Sequence, residues 1–369
     1  MLISAAVTRA PLAPFTIEQI TLDTPRPDEV RVKIVGVGLC HTDLVGSAGA
    51  FPIKLPAVFG HEGAGIVEEV GSAVTKVKAG DRVALTFRSC GGCPNCDRHD
   101  PAYCHSMPML NYAGVRTDGS RTLSDADGAI SGNFFGQSSF ASHALVYERN
   151  LVKIPDDMPL DIAGTLGCGV QTGAGAVMRS MKCEAGSSLV VLGGGAVGLS
   201  AVLGAVVQGC STIVVVEPQE GRRELALSLG ATHVIDPIGT DLAAALRAIA
   251  PAGLNYAFDT TALPAVVEAA ASALAPHGTF GFVGVPKPDA MDARLPLPMV
   301  AVMSRGLTYK GIIEGDSDPD EFIPQLIALY QAGRFPFDKL IRKYPLTSIN
   351  QAVADQHRGA CIKAVLLNE

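Results

Sequence analysis

The sequence predicts an α/β protein of two domains, one irregular and β-rich and the other a doubly wound parallel sheet, on three observations. The chain has 369 residues, 48% of them hydrophobic and 18% charged. That is more than one core usually fills, so two domains of about 150–200 residues are expected. Over the first 150 residues, short alternating stretches at 29–37, 63–71 and 81–85 are punctuated by Gly and Pro, the pattern of an irregular barrel-like domain. From about residue 186 an apolar strand followed by an Ala/Leu-rich helix recurs.

The strands of this second half are 188–192, 212–216, 232–235, 256–259 and 279–283, and the helices between them are 197–208, 222–229, 242–249 and 265–274. Such alternation implies right-handed crossovers and a parallel sheet covered on both faces. A tail helix at 322–332 and a strand at 362–367 are expected to return to the first domain.

A net charge of −7 and a pI near 5.6, with none of the 29 Lys and Arg in a run, argue against a nucleic-acid surface. Residues 1–9 lack a basic segment followed by an apolar one, so no secretory signal is expected. The longest apolar passage, 188–207, is broken by Gly, so no membrane span is expected either. The nine cysteines, four of them packed into fifteen residues, fit a disulfide framework poorly and point to metal binding in a reducing cytoplasm.

Gly193-Gly194-Gly195-Ala196-Val197-Gly198 follows the strand 188–192 and opens a helix. In that context Gly193, Gly195 and Gly198 form a dinucleotide fingerprint, because the backbone must turn tightly and approach a pyrophosphate at the helix N-terminus. Glu217, 24 residues after Gly193 at the end of the next strand, is placed to accept both ribose hydroxyls and to repel a 2′-phosphate, which favours NAD over NADP. Arg222 and Arg223 soften that preference.

Cys90-x2-Cys93-x2-Cys96-x7-Cys104 offers four thiolates on a Gly/Pro/Asn-rich loop, a set that closes the coordination of a structural zinc. An iron–sulfur cluster is the alternative. Cys40, His61 and Cys168 are dispersed, and spacing alone does not unite them; singly, each reads as a buried thiol or a core histidine.

The motifs Gly38-Leu39-Cys40-His41-Thr42-Asp43, Gly60-His61-Glu62-Gly63 and Gly167-Cys168-Gly169, together with the four-cysteine lobe and the fingerprint, occur in the order found in the zinc-dependent medium-chain alcohol dehydrogenases. The chain resembles that family over essentially its whole length. The resemblance implies a split GroES-like catalytic domain of residues 1–169 and 313–369 around a six-stranded Rossmann coenzyme domain of 170–312. It implies two zinc ions per chain and NAD. Cys40, His61 and Cys168 become ligands of a catalytic zinc, with Glu62 beside them and Asp43 orienting the histidine. Thr42 is the position that receives the alcohol proton. His41, Thr172 and Lys363 become coenzyme contacts, Lys363 as a cation near the pyrophosphate. The family's proton relay ends on a histidine five residues after the first ligand, where this chain has Val45.

Positional matching suggests Thr86, Phe134, Phe135, Val285 and Ile313 as pocket residues, and residues 311–317 resemble the aryl-alcohol (benzyl alcohol) dehydrogenase branch, which includes enzymes for geraniol. An aromatic or allylic primary alcohol giving its aldehyde is therefore expected. Glutathione-dependent formaldehyde dehydrogenase and a general aliphatic alcohol dehydrogenase are the alternatives; the former place an Arg shortly after the fourth lobe cysteine, where this chain reads His105-Ser106-Met107-Pro108-Met109. Polyol dehydrogenases replace the third ligand by a carboxylate, which Cys168 disfavours. The long stretch from Cys104 to Asn133 resembles the dimeric members, so a homodimer is expected, with a tetramer as the other option. Glu314, beside Ile313, is an odd neighbour for an apolar pocket.

Overall fold

The computed structural model describes residues 1–286, 290, 292–295 and 297–368. The chain forms two compact units, residues 1–168, 318–327 and 340–369 in the first and residues 169–317 and 328–339 in the second. The expected boundary at residue 313 therefore lies after Ser317, and residues 328–339 count with the second unit. The tail helix Pro319–Gln331 spans the boundary.

The first unit is built on two sheets. One orders Ala57–Val58, Leu2–Thr8, Thr16–Leu22, Leu123–Asp125 and Gly128–Ile130; the other orders Leu151–Lys153, Arg82–Leu85, Gly63–Val70, Glu29–Gly38, Lys363–Leu367 and Ile341–Pro345, with His143–Tyr147 also on Glu29–Gly38. Glu29–Gly38 shows why the pattern is irregular. Val30, Val32 and Ile34 are buried at period two, a register shift follows between Ile34 and Gly36, and Gly36, Val37 and Gly38 are then all buried. After the shift both faces of the strand are covered, just before it delivers Leu39 and Cys40. Gly38 ends the strand against Glu62: a Cβ there would stand 1.9 Å from the Glu62 Oε2, so the carboxylate needs glycine opposite it.

The second unit carries a six-stranded parallel sheet in the order His233–Ile235, Thr212–Val216, Ser188–Leu192, Leu254–Asp259, Leu274–Phe282 and Thr308–Gly311. Val190, Val191, Leu192, Val214 and Val215 are fully buried, as strands covered on both faces must be, which is why they read as unbroken apolar runs. The helix Ala196–Gln208 stops at Gly209 in the left-handed region, and Asp241 caps Leu242–Ile249 by accepting from the Ala244 N–H at 3.0 Å. Two elements differ from expectation. The helix expected to run to residue 274 ends at Ser272, and residues 274–282 form the fifth strand. The sixth, Thr308–Gly311, has no apolar run of its own.

Candidate metal and coenzyme sites

The four-cysteine loop leaves the strand Arg82–Leu85. Cys93 precedes the short helix Pro94–Asp97, which carries Cys96, and the turn Pro101–Tyr103 delivers Cys104. All four sulfurs lie within 4.8 Å of one another, with Cys93–Cys96 at 3.6 Å and Cys90–Cys96 at 4.0 Å. Four sulfurs around one tetrahedral zinc at 2.3 Å stand about 3.8 Å apart. The set fits a single ion and is too tight to surround a cluster of irons and sulfides. Backbone N–H groups support the charged form, the Cys96 N–H first among those that hold the Cys93 thiol down to about 6.

The dispersed set also converges. Cys40 ends the approach from Glu29–Gly38, His61 precedes Gly63–Val70, and Cys168 precedes the helix Gly169–Gly175; their donor atoms and the Glu62 carboxylate lie within 4.8 Å of one another. Asp43 organises them. Its Oδ1 accepts from the Gly60 N–H at 3.0 Å and meets His61 Nδ1 at 2.7 Å, while Oδ2 accepts from the Cys40 N–H at 3.0 Å. With Nδ1 committed to Asp43, Nε2 faces the Cys168 Sγ at 3.3 Å. A carboxylate behind a ligating imidazole fixes tautomer and ring orientation.

The electrostatics suit a cation. Hydrogen bonding to Cys168 holds the Cys40 thiol well below its usual range against the cost of burial, with His61 adding to the effect. Burial opposes charge on His61, but Asp43 and Cys40 outweigh it and raise its pKa well above the usual value. A divalent cation would take the thiolate as a ligand and release the proton held on the imidazole.

Phe135 stacks on the His61 ring at 4.4 Å and Phe134 meets it edge-on at 5.8 Å. Both expected pocket residues are thus buried supports of the histidine. Thr86 donates its hydroxyl to the Gly167 carbonyl at 2.7 Å, beside Cys168. Val285 and Ile313 belong to the second unit, where both are exposed. Thr42 is half-buried, its Oγ1 3.7 Å from the Cys40 Sγ, and His41 is exposed at the first position of the helix His41–Ser47.

Lys363 has a buried partner that the sequence reading did not name. It is 2% exposed, and its Nζ lies 2.6 and 2.5 Å from the two Glu62 oxygens and donates to the Leu39 carbonyl at 3.1 Å. Glu62 raises its pKa in spite of burial. The ammonium is therefore part of the Cys40–His61 surroundings. The signal was in the sequence: a lysine inside the buried run Ile362 to Leu367 requires a buried partner. Gln137, by contrast, carried none. Its Nε2 donates to the His61 and Thr86 carbonyls at 2.8 and 3.1 Å.

In the second unit the fingerprint glycines have separate reasons. A Cβ on Gly198 would lie 1.9 Å from the Gly193 carbonyl, and Gly193 has φ +101. Gly195 faces open space, with nothing within 4 Å of a Cβ, and caps Ala196–Gln208 with no side-chain hydrogen bond. An open cradle at an uncapped helix N-terminus fits a pyrophosphate. Glu217 sits at the carboxyl end of Thr212–Val216, its Oε2 accepting from the Gly194 N–H at 2.7 Å and its Oε1 from Gln219 at 3.0 Å. Arg222 approaches Glu217 at 3.9 Å, and Arg223 donates to the Glu217 and Pro218 carbonyls. Thr172 lies on Gly169–Gly175, which packs on the fingerprint helix: a Cβ on Gly173 would stand 2.0 Å from the Val197 carbonyl.

Residues 26–156 match the alcohol dehydrogenase GroES-like domain and residues 196–332 the zinc-binding dehydrogenase domain. A geraniol dehydrogenase of Castellaniella defragrans is 47% identical over 365 residues, 98% of this chain and 97% of its own. The chain belongs to the zinc-dependent alcohol dehydrogenase family. Among solved members of the family, benzyl alcohol dehydrogenase from Acinetobacter calcoaceticus superimposes with a TM-score of 0.96 at 41% identity, covering 100% of both chains. An alcohol dehydrogenase zinc-binding domain protein from Burkholderia ambifaria gives 0.96 at 47%, covering 100% of this chain and 99% of its own. The chain is an oxidoreductase of this family, with zinc and a nicotinamide coenzyme as its cofactors. No helix among the described residues is long and apolar enough to cross a membrane.

Proposed function

We propose that the protein oxidises aromatic or allylic primary alcohols to aldehydes with NAD as hydride acceptor. The observation that carries the reading is the convergence of Cys40, His61 and Cys168 behind Asp43, a three-ligand set of the kind that leaves a coordination position for substrate. When bound there, zinc supplies Lewis acidity toward an alcohol oxygen. Cys90, Cys93, Cys96 and Cys104 hold a second, structural zinc.

The chain's own residues then divide the work. Asp43 keeps the His61 Nε2 toward the ion, and Phe134 and Phe135 clamp the ring in apolar surroundings that suit an apolar alcohol. The Thr42 hydroxyl takes the alcohol proton. Val45, further along the same helix, cannot relay it, so the proton leaves by another path. The fingerprint turn receives the pyrophosphate, Glu217 the ribose hydroxyls, and the exposed His41 a coenzyme phosphate.

The test is a panel of initial rates for benzyl, cinnamyl and geranyl alcohols, ethanol, a polyol and hydroxymethylglutathione, each with NAD and NADP. The conjugated alcohols are expected to exceed ethanol in kcat/KM by about a hundredfold, the scale of a few buried methylenes, and NAD to exceed NADP. Faster turnover of ethanol, the polyol or the glutathione adduct defeats the substrate reading, and NADP preference removes the role of Glu217.

A homodimer joined through the second unit is also proposed. Thr308–Gly311 is an edge strand of its sheet, and nearby in the sequence the helix Met299–Arg305 exposes Met299, Val300 and Met303, an apolar face that a second copy would cover. Light scattering should give twice the chain mass of 38.2 kDa; a mass of one chain contradicts it.

A further inference from the structure

Glu314 is a buried carboxylate in an unusual backbone. It is 7% exposed, and Glu314, Gly315 and Asp316 take three consecutive left-handed conformations, φ +51, +68 and +50. Two non-glycine residues in that region store strain that only surrounding contacts can hold. Those contacts are present. The Asp316 carboxylate is pinned by Lys310 and by Ser180, each at 2.7 Å, and the Ser317 hydroxyl bridges the Glu314 carbonyl at 2.5 Å and the Gln171 Oε1 at 3.1 Å. Gly315 packs so closely that a Cβ would lie 2.5 Å from the Gln171 carbonyl. The turn holds the Glu314 Oε2 3.2 Å from the Gln171 Nε2 and 3.5 Å from the Thr172 Oγ1.

The position of this carboxylate in the sheet gives it a function. In a doubly wound sheet a dinucleotide lies across the carboxyl ends of the strands, one mononucleotide on each side of the point where strand order reverses. Here the reversal lies between Ser188–Leu192 and Leu254–Asp259. Glu217 and the fingerprint turn take the adenosine half, which leaves the nicotinamide half to the ends of Leu254–Asp259, Leu274–Phe282 and Thr308–Gly311. Glu314 follows the last of these by three residues, and it touches Thr172, whose helix packs on the fingerprint helix.

We infer that Glu314 is an electrostatic positioning residue for the nicotinamide end of the coenzyme, favouring the cationic ring of NAD+ over the neutral ring of NADH. Both named partners of Oε2 are donors, which favours the ionised carboxylate. A fixed negative charge discriminates between two ligands that differ by one positive charge. Tighter binding of NAD+ than of NADH keeps the enzyme loaded with the oxidised coenzyme and speeds exchange of the reduced product. The inference rests on the coenzyme reading above.

The test measures dissociation constants for NAD+ and NADH by calorimetry on the zinc-loaded full-length enzyme, which has no Trp to report binding by its own fluorescence. In Glu314→Gln the affinity for NAD+ is expected to fall about tenfold while that for NADH changes less than twofold. Glu314→Asp and Glu314→Asn both tolerate the left-handed region, so that pair separates charge from backbone if Glu314→Gln misfolds; the Asp variant should keep the wild-type ratio and the Asn variant should lose it. Equal weakening of both coenzymes, or equal ratios in the Asp and Asn variants, overturns the inference. Failure of the wild-type protein to bind either coenzyme is a different result and overturns the coenzyme reading instead.

Discussion

Cys40→Ala abolishes alcohol oxidation while leaving a folded protein that still binds NAD. Cys40 supplies one of two thiolates in the open donor set, and its loss leaves His61 and Cys168 without the charge that balances a divalent ion. A catalytic ion contributes several kcal/mol to the barrier, so kcat/KM for benzyl alcohol is expected to fall by at least about a thousandfold. The fold should survive, because Cys40 is only half-buried and the core around it is carried by Val32, Ile34, Val37 and Leu39. NAD binding should also survive, since the fingerprint turn and Glu217 belong to the second unit. Retained oxidation in this variant contradicts the assignment of Cys40.

Lys363→Met has the largest expected effect on stability. The ammonium is buried against both oxygens of Glu62, and a neutral replacement removes that cation from the buried carboxylate. Breaking a buried pair from one side costs about 3–5 kcal/mol, which lowers the melting midpoint by roughly 6–20 °C for a domain of this size. Adding Glu62→Gln should recover much of the loss, because the double variant buries no lone charge. NAD affinity should be unchanged in Lys363→Met. A pyrophosphate role gives the opposite pattern, a weaker coenzyme complex with an unchanged midpoint, so calorimetry and thermal melts together separate the two.

These two residues also mark the limits of what the sequence discloses. The lobe cysteines were legible because all four ligands fall within one loop, and the fingerprint because one turn makes the whole phosphate cradle. Cys40 and His61 are 21 residues apart and His61 and Cys168 are 107 apart, so local pattern alone could not join them and only resemblance did. The pairing of Lys363 with Glu62 was not foreseen by that resemblance, since a position match carries no information about which neighbour the side chain meets once buried. The fold was misread where local chemistry and tertiary context disagree. The strand Leu274–Phe282 contains Pro276, His277 and Gly278, which look like a turn, and His277 does take a left-handed φ of +62. Thr308–Gly311 is a half-exposed edge strand, and a strand that is not buried on both faces needs no apolar run. The left-handed turn at Glu314 has no local signal beyond its glycine; three successive positive φ angles are set by Lys310, Ser180 and Gln171, which meet it only in the folded unit.

An open metal centre distinct from the structural lobe is tested most directly by the zinc content of the purified chain and of Cys40→Ala, measured side by side. The expected values are about two zinc per wild-type chain and about one in the variant, the remaining ion held by Cys90, Cys93, Cys96 and Cys104. One zinc per wild-type chain, unchanged by Cys40→Ala, would contradict a metal centre at Cys40, His61 and Cys168.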